Sequence, residues 1–479
     1  MGAKIAPESG APRLAWLGAE APGQDLVRFG LSVVVAAAFS AVQVFVIPRR
    51  LDLATYGHYR LFLVYVAYIE LLNLGLADGA FLRWAGRQPA VIAREWRLIG
   101  RWLLTGQLLV LAVAGLVALS LTTPLLRLYV IAFATCALFV NASVLSSYAL
   151  QAAGDFRRAG HVIIIAPATF VAAVLLFPSH TLGALLAIYV SAFAVAATYA
   201  ALSVARLASG GNNPIEHSES PAVGALIRSG APVLGASVAA GLSRSADRLL
   251  VSVFTPITSF ALYGFASTVM MAATVATQAL SRVALAHAAR RPRGQRAPFL
   301  AGFLNLIAAA YGIALVGEPL FEHLVRSYLP AYASALGIVR ALTIGLPLTV
   351  ATHVVLVGTL QSYGLVRRQF ALELCGAALV AAACGIALAR GLPLWVVAAA
   401  ATTATAANLC VGVAMLRRTV PEWESMASLR FLAIVATQSA ALLVALAGSA
   451  AWTNQVATYA ALTAIPTWLV TSRARRSAW

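Results

Sequence analysis

One short stretch of the chain places ionisable side chains within apolar surroundings. The segment GLSRSADRLL, residues 241–250, carries Arg244, Asp247 and Arg248, and apolar sequence flanks it on both sides. In a helix, residues three and four apart lie on one face, so the two guanidinium groups would lie together with the carboxylate beside them. A guanidinium fork matches phosphate oxygens and keeps its charge at any working pH. The spacing therefore predicts an anion site in which Asp247 orients the two arginines.

A structural role for the same three residues is the alternative. Asp247 would then form an ion pair with one arginine, while the other arginine reaches toward the outer lipid headgroups. Contact of all three with lipid is excluded, because on insertion-based scales a charged side chain at a helix centre costs about 2.5–3.5 kcal/mol. The patch must therefore face a water-filled cavity or another part of the protein.

Further ionisable residues lie inside apolar segments or close to their ends. Arg340 and Arg60 are candidate contacts for a phosphate or a sugar. Glu70 is either a coupling carboxylate that binds a proton or the permanent partner of a cavity arginine. His353 is either a hydrogen-bonded core histidine or a proton relay. Two carboxylates predicted near the cytoplasmic face are expected to pair with arginines at loop edges: Asp78 and Glu373 with Arg83 or Arg368.

The sequence contains no pattern typical of an enzyme or of a metal site. It has no GxSxG, HExxH or Walker A motif and no cluster of cysteine and histidine. The four cysteines lie inside apolar segments without CxxC spacing, which is typical of small core residues: Cys136, Cys375, Cys384 and Cys410. We expect no catalytic residue, no metal and no cofactor, so energy must come from an ion gradient, the membrane potential or the substrate gradient.

The composition indicates a polytopic membrane protein. Of the 479 residues, 61% are hydrophobic and 10% are charged, whereas soluble domains are about half apolar and a quarter charged. The net charge of +18 does not indicate nucleic-acid binding, because the arginines stand in short groups between apolar runs. Such groups are typical of the charges that orient spans in a membrane.

Fourteen apolar segments are long enough to span a bilayer, which takes about 20 helical residues. They cover residues 26–48, 58–82, 99–121, 128–150, 159–177, 181–205, 226–254, 257–285, 299–317, 335–361, 370–389, 392–416, 428–448 and 453–471. Arginine and lysine concentrate in every second loop, which places both termini in the cytoplasm. The loops predicted outside are short and leave no room for a soluble domain.

Three local patterns recur in the same order at a spacing near 200 residues. LVRFG at 26–30 returns as LIRSG at 226–230, the Tyr56–Gly57 pair returns as Tyr263–Gly264, and LQAAGDFRR at 150–158 returns as LQSYGLVRR at 360–368. Six predicted spans separate the copies, so both copies share one orientation, as in transporters with parallel repeats.

The expected architecture is an all-α membrane protein with two six-helix lobes around a central cavity. Its parts are a cytoplasmic tail (1–25), a first lobe (26–208), a cytoplasmic linker (209–224), a second lobe (225–417) and two C-terminal helices with a cytoplasmic end (418–479).

The order of these motifs resembles that of the Wzx-type polysaccharide flippases, the O-antigen flippase family. YGHYRLFLVYVAYIELLNLGLADGAFLR at 56–83 is similar to the second span of that family, and SRSADRLLVSVF at 243–254, followed by ALYGFA at 261–266, is similar to the start of its second half. The resemblance covers nearly the whole chain and implies membership of the multidrug/oligosaccharidyl-lipid/polysaccharide exporter (MOP) superfamily.

This resemblance implies a flippase of the bacterial inner membrane. Its substrate would be an undecaprenyl-diphosphate-linked oligosaccharide, which alternating access of the two lobes moves from the cytoplasmic to the periplasmic leaflet. Arg244 and Arg248 would hold the diphosphate. The expected partners are this lipid-linked glycan, membrane lipids, and a glycan polymerase with its chain-length machinery. Nucleic acid is not expected, and the protein would act as a monomer.

Three other functions remain alternatives. A drug or cation antiporter of the same superfamily would typically have twelve spans and an acidic cavity. A flippase for lipid-linked peptidoglycan precursors would also have fourteen spans and a basic cavity. A membrane glycosyltransferase, polymerase or ligase should carry a sizeable outside loop with catalytic groups, which this sequence lacks.

Overall fold

A computed structural model describes residues 22–177, 181–207, 222–271, 288, 291–423, 425–448 and 453–463. Within these ranges every regular element is a helix. This follows from the long apolar runs, since a backbone in lipid must satisfy its hydrogen bonds internally, and a helix does so within one segment.

The described part of the first half comprises seven helices. They are α1 (Pro22–Arg50), α2 (Leu53–Val66), α3 (Leu76–Trp84), α4 (Pro89–Ser120), α5 (Pro124–Ala152), α6 (Phe156–Leu176) and α7 (Leu182–Leu207), with a 3₁₀ turn at Ile69–Asn73 between α2 and α3. Helices α4, α5 and α7 pack on one another, and α6 packs between α1 and α7.

The second half of the described chain comprises ten helices. They are α8 (Val223–Phe254), α9 (Ile257–Met271), α10 (Arg293–Val316), α11 (Glu318–Tyr328), α12 (Leu336–Val350), α13 (Gly358–Ser362), α14 (Val366–Ala389), α15 (Leu394–Thr419), α16 (Ser425–Gly448) and α17 (453–463). A 3₁₀ turn at Pro330–Ala335 precedes α12, and a π-helical turn at Ala351–Val357 joins α12 to α13.

The protein is a multi-pass membrane protein. In the described ranges, eleven helical segments are long and apolar enough to span a membrane, and a bent pair makes a twelfth. The predicted eighth and fourteenth spans are described only in part, as α9 and α17, and continue into residues outside the described ranges. The total of fourteen spans therefore stays a prediction.

The second span differs from the continuous helix expected at 58–82. Its two parts, Leu53–Asn73 and Leu76–Trp84, meet at an angle of 60°. The chain turns at Leu74 and Gly75, which both have left-handed backbone conformations, with φ of 53° and 80°. Leucine rarely adopts such a φ, so neighbouring parts of the protein must hold the bend in place.

Neutral amide side chains stabilise this bend. The Gln107 Nε2 donates to the Leu72 carbonyl oxygen at 3.1 Å, and the Asn141 Nδ2 donates to the Ile69 carbonyl oxygen at 3.4 Å. The Asn73 Oδ1 accepts from the backbone N–H of residue 75 at 2.8 Å. Backbone groups that the broken helix leaves free at membrane depth are thus satisfied by protein.

The bent span also forms much of the contact between the two halves. At its start, α2 packs so closely on α9 that a Cβ at Gly57 would overlap the Ile257 carbonyl. Midway, the hydroxyl groups of Tyr68 and Ser245 are hydrogen-bonded. At its end, α3 crosses α8 so closely that a Cβ at Gly230 would overlap the backbone of the bend. In this conformation the halves therefore touch at both ends of the span.

One of the predicted repeat motifs has the same local geometry in both halves. Gly154 and Gly364 each end a helix in the left-handed conformation, with φ of 80° and 74°. In each turn the backbone N–H of the residue after the glycine donates to the carbonyl oxygen of the first leucine of the motif. The distances are 2.9 Å from Asp155 to Leu150 and 2.8 Å from Leu365 to Leu360. Glycine is required there because a side chain would be strained. The complete two-repeat layout and its boundaries stay a prediction.

Candidate anion-binding cavity

A cavity of about 190 Å³ lies among helices of the second half. Residues of α8, α9, α12, α14 and α15 and of the π-helical turn line it. Its charged or titratable lining residues are Arg244, Asp247, Arg248 and His353, and it also has hydroxyl and amide groups: Ser243, Ser267, Thr349, Thr352, Thr402, Thr405 and Asn408. The structure thus brings together the motif of α8 and the distant His353.

Asp247 and Arg248 are held by fixed partners on the cavity wall. Asp247 is 8% exposed, and its Oδ2 accepts a hydrogen bond of 2.7 Å from the Tyr263 hydroxyl group. The Arg248 Nε lies 3.9 Å from the Asp247 Oδ1, and its Nη2 donates to the Arg244 carbonyl oxygen at 2.7 Å. A third contact joins the Arg248 Nη1 to the Met271 Sδ at 2.8 Å.

Arg244 differs from its neighbour in having no such partner. The residue is exposed to the cavity side of α8, and its guanidinium group forms no hydrogen bond or ion pair with a described residue. Arg244 and Arg248 are four residues apart, so they lie one turn apart on the same face. Two guanidinium groups therefore share one cavity, and the one of Arg244 uses none of its donors on a described residue.

His353 connects the cavity to a buried carboxylate. Its Nδ1 lies 3.3 Å from the Glu373 Oε1, and Glu373 is only 1% exposed. The expected pairing of Glu373 with Arg368 at a loop edge is therefore wrong, because the carboxylate lies behind the cavity wall. The expected pairing of Asp78 with Arg83 is also wrong, since the Arg83 guanidinium group binds the Glu95 carboxylate, with 3.1 Å between its Nη2 and the Oε1.

The structure places Arg340 away from this cavity. Its guanidinium group forms two hydrogen bonds with the Glu322 carboxylate across α11 and α12. The Arg326 Nη2 lies 3.9 Å from the same carboxylate. Arg340 is thus bound within a local ion pair in this conformation, and its predicted contact with substrate stays a prediction.

Arg60 lies at the contact between the two halves. It is 7% exposed, and its Nε has no hydrogen-bond partner among the described residues. Its side chain packs on Gly264 of α9, where a Cβ would lie 3.1 Å from the Arg60 Cβ. The guanidinium group is within electrostatic reach of Arg248. Arg60 does not line the cavity, but it adds positive charge beside it.

Glu70 lies in the 3₁₀ turn of the bent span, in the other half of the molecule from His353. No described residue forms an ion pair or hydrogen bond with its carboxylate, and Asp78 is the charge within electrostatic reach. The structure therefore does not bring the two predicted coupling residues together.

Sequence reasoning missed the functional significance of two supporting residues. The sequence marks Tyr263 as part of a repeated Tyr-Gly pair, but not as the residue whose hydroxyl group fixes Asp247. Glu373 was assigned to a loop edge, yet it contacts His353. The repeated motif was the available signal for Tyr263, because it placed a polar hydroxyl at the start of a span next to α8.

No sequence profile of a known protein family matches the chain, and no curated protein matches it. Solved structures do match by fold. The chain is similar to the lipid II flippase MurJ in an inward closed conformation, at 12% identity over 94% of this chain and 99% of that chain, with a TM-score of 0.68.

Two other transporters have the same fold. One is a multidrug resistance MATE family transporter of the MOP superfamily in its inward-facing conformation, at 12% identity over 86% of this chain and 96% of that chain, with a TM-score of 0.60. The other is a MOP superfamily transporter from Pyrococcus furiosus, whose binding pocket of reverse polarity suggests a different function. It matches at 12% identity over 86% and 96% of the two chains, with a TM-score of 0.56. The chain therefore has the fold of MOP superfamily transporters.

Proposed function

We propose that this protein is a flippase for a polyprenyl-diphosphate-linked oligosaccharide, such as a repeat unit of O-antigen, exopolysaccharide or capsule. The observation that carries this proposal is the cavity in which Arg244 and Arg248 lie on one face of α8. The proposed setting is the bacterial inner membrane, with both termini in the cytoplasm.

The chemistry of the cavity fits a diphosphate diester. Such a headgroup carries two negative charges, and the guanidinium group of Arg244, which has no partner among the described residues, provides donors in the planar arrangement that phosphate oxygens accept. Arg248 adds a second positive charge, while its contacts with Asp247 and the backbone fix its direction before substrate arrives. The hydroxyl groups of Thr349 and Thr402 already donate to backbone carbonyl oxygens, so the guanidinium groups are the donors on which the proposal rests.

Alternating access requires the contacts between the halves to open and close. The glycine contacts at Gly57 and Gly230 lie at opposite ends of the bent span, so each can close one side of the path. Opening one contact while the other stays closed would expose the cavity to one leaflet at a time. Glu70 lies in the bent span and has no ion-pair or hydrogen-bond partner among the described residues. We propose it as a residue that couples proton binding to transport.

A flippase for lipid-linked peptidoglycan precursors is the second candidate. The match to MurJ, which has the highest TM-score of the three comparisons above, favours it. Both substrates carry a diphosphate, so the arginines alone do not distinguish them. A cation antiporter fits less well, because the cavity has two arginines and one lining carboxylate.

Translocation in proteoliposomes tests the proposed function. The purified protein should move a fluorescent undecaprenyl-diphosphate-linked oligosaccharide between leaflets, measured by quenching of the fluorophore from outside. Lipid II and a cationic dye serve as competing substrates in parallel vesicles. Transport of lipid II alone would support the second candidate, and transport of the dye alone would contradict both flippase assignments.

Deletion of the gene provides the cellular control. Loss of a flippase should leave complete lipid-linked units in the cytoplasmic leaflet. Truncated glycans, or unpolymerised units outside, would instead indicate loss of an enzyme and contradict the proposal.

A further inference from the structure

The π-helical turn places a titratable pair at the wall of the cavity. Pro347 has no backbone N–H, and the helix changes to π geometry over Ala351–Val357, one turn later. A π turn alters which side chains face a neighbouring helix and is frequent at functional sites. Here it directs His353 toward Glu373 of α14, with 3.3 Å between the Nδ1 and the Oε1.

The two members of this pair differ in exposure. His353 lines the cavity, and 23% of its side chain is exposed, whereas 2% of the Glu373 side chain is exposed. The second carboxylate oxygen, Oε2, has no hydrogen-bond partner among the described residues. A proton that enters from the cavity can therefore reach the imidazole directly, and the Glu373 carboxylate lies behind the ring at 3.3 Å from its Nδ1.

The charges around the pair nearly balance while the imidazole is neutral. Helix α8 contributes Arg244, Asp247 and Arg248, and α14 contributes Glu373, which is within electrostatic reach of Arg244. Tyr263 of α9 acts on the cavity through its hydrogen bond to Asp247. The lining residues that α12 and α15 contribute are uncharged. With Arg60 of α2 beside the cavity, three cations face two carboxylates, and one bound proton adds a further positive charge to the site.

We infer that His353 and Glu373 form a proton-binding pair that raises the affinity of the cavity for a diphosphate when it is protonated. This inference rests on the proposed function, because it concerns the same cavity. Protonation neutralises the attraction that Glu373 exerts on Arg244 and adds a positive charge to the wall. By linkage, a bound diphosphate must favour protonation of the pair to the same extent.

Binding of a non-titrating ligand at different pH values tests the inference. The probe is the P1,P2-dimethyl diester of diphosphate, which keeps two charges across the neutral range, as a lipid-linked diphosphate does. We expect the affinity of the wild-type protein in nanodiscs to rise about tenfold from pH 8 to pH 5.5, because one added charge acts within the same small cavity. Calorimetry in buffers of different ionisation enthalpy should detect proton uptake on binding.

Variants assign the effect to the pair. His353→Gln should bind the probe with little dependence on pH and take up no proton on binding. His161→Gln is the matched control, since His161 is also hydrogen-bonded, to the Tyr199 hydroxyl group at 2.9 Å, but lies in the first half. This control should keep the full pH dependence.

Two results would overturn the inference. Affinity of the wild-type protein that does not change with pH would overturn it and leave the proposed function intact. The same conclusion follows if His353→Gln keeps both the pH dependence and the proton uptake. No binding of the probe or of the lipid-linked substrate at any pH would overturn the proposed function as well.

Discussion

The two halves of the molecule both carry polar side chains at membrane depth, but they use them differently. At the bend of the first half, Asn73, Gln107 and Asn141 form hydrogen bonds with backbone groups. In the cavity of the second half, the Arg244 guanidinium group has no partner among the described residues, and Arg248 faces the same space. A polar residue in a membrane indicates a ligand site only where its hydrogen-bonding capacity is unused.

The comparison also separates neutral from charged chemistry. The amide side chains at the bend form hydrogen bonds with backbone groups of the broken helix and add no net charge, so their role is structural. Arginines add charge that the backbone does not need, and keeping them at membrane depth requires counter-charges or a ligand. Substitutions in the two regions should therefore affect different measured quantities.

The largest effect is expected from removing both cavity arginines. Arg244→Ala combined with Arg248→Ala should abolish translocation in proteoliposomes, at least about a hundredfold, because no described group replaces the two phosphate contacts. The doubly substituted Lys variant should recover only part of the rate, since an ammonium group cannot form the bidentate contact. Membrane insertion should be normal.

Surface arginines provide the control for this loss. Arg417→Ala with Arg418→Ala removes the same charge from the exposed last turn of α15, away from the lining of the cavity. Equal losses in the two double variants would mean that overall charge matters and the cavity does not.

The next largest effect concerns the contact between the halves. Gly230→Ala places a methyl group against the backbone of the bend, so α3 and α8 can no longer approach. Overpacking of about 1–3 kcal/mol should slow translocation about tenfold, and spin-label distances between α3 and α8 should increase. Gly235→Ala on the same helix has no neighbour within 4 Å and should leave both unchanged. An unaltered rate for Gly230→Ala would exclude this contact from the transport cycle.

A moderate effect on stability is expected at the bend. Gln107→Leu leaves the Leu72 carbonyl oxygen without its donor, and Gln107 is 1% exposed. The free energy of unfolding in detergent should fall by about 1–2 kcal/mol, while affinity for the dimethyl diphosphate should stay constant. Gln438→Leu is the control, because neither polar atom of that buried side chain has a described partner. A loss of affinity in Gln107→Leu would mean that the bend belongs to the ligand site.

The smallest effect is expected at the start of the bent span. Asp52 caps α2, with 3.0 Å from its Oδ2 to the backbone nitrogens of Ala54 and Thr55, and hydrogen bonds from Thr55 lower the pKa of Asp52. Asp52→Ala should reduce stability by about 0.5–1 kcal/mol at neutral pH. Because the pKa of Asp52 is lower in the folded protein than in the unfolded chain, the ionised carboxylate stabilises the fold at pH values above the pKa of the unfolded chain. This contribution is lost as the pH falls through the pKa of the folded protein. The difference in melting temperature should therefore shrink below about pH 4, and a constant difference would contradict this account.

Much of the fold follows from the sequence, because apolar runs of spanning length dictate helices wherever they occur. The bend in the second span does not follow from the sequence. Glycine is common in spans, so Gly75 by itself does not mark a bend, and the stabilising donors Gln107 and Asn141 come from helices distant in sequence. Only their packing in three dimensions makes a left-handed Leu74 tolerable.

The candidate site was predictable to a similar degree. The spacing of Arg244, Asp247 and Arg248 is local, and it indicated a shared helix face. The contact between His353 and Glu373 depends on a π-helical turn, which no local pattern in the sequence marks. Arg340 could not be placed either, because a partner such as Glu322 becomes visible only when α11 folds against α12.

The most direct test of the central claim is the affinity for the lipid-linked substrate itself. Binding of an undecaprenyl-diphosphate-linked oligosaccharide should be measured in nanodiscs for the wild-type protein and for the Arg244→Ala, Arg248→Ala double variant. Our account predicts that the double variant binds at least about a hundredfold more weakly, while the Arg417→Ala, Arg418→Ala control binds like wild type. Equal affinity of the double variant and the wild-type protein would contradict it.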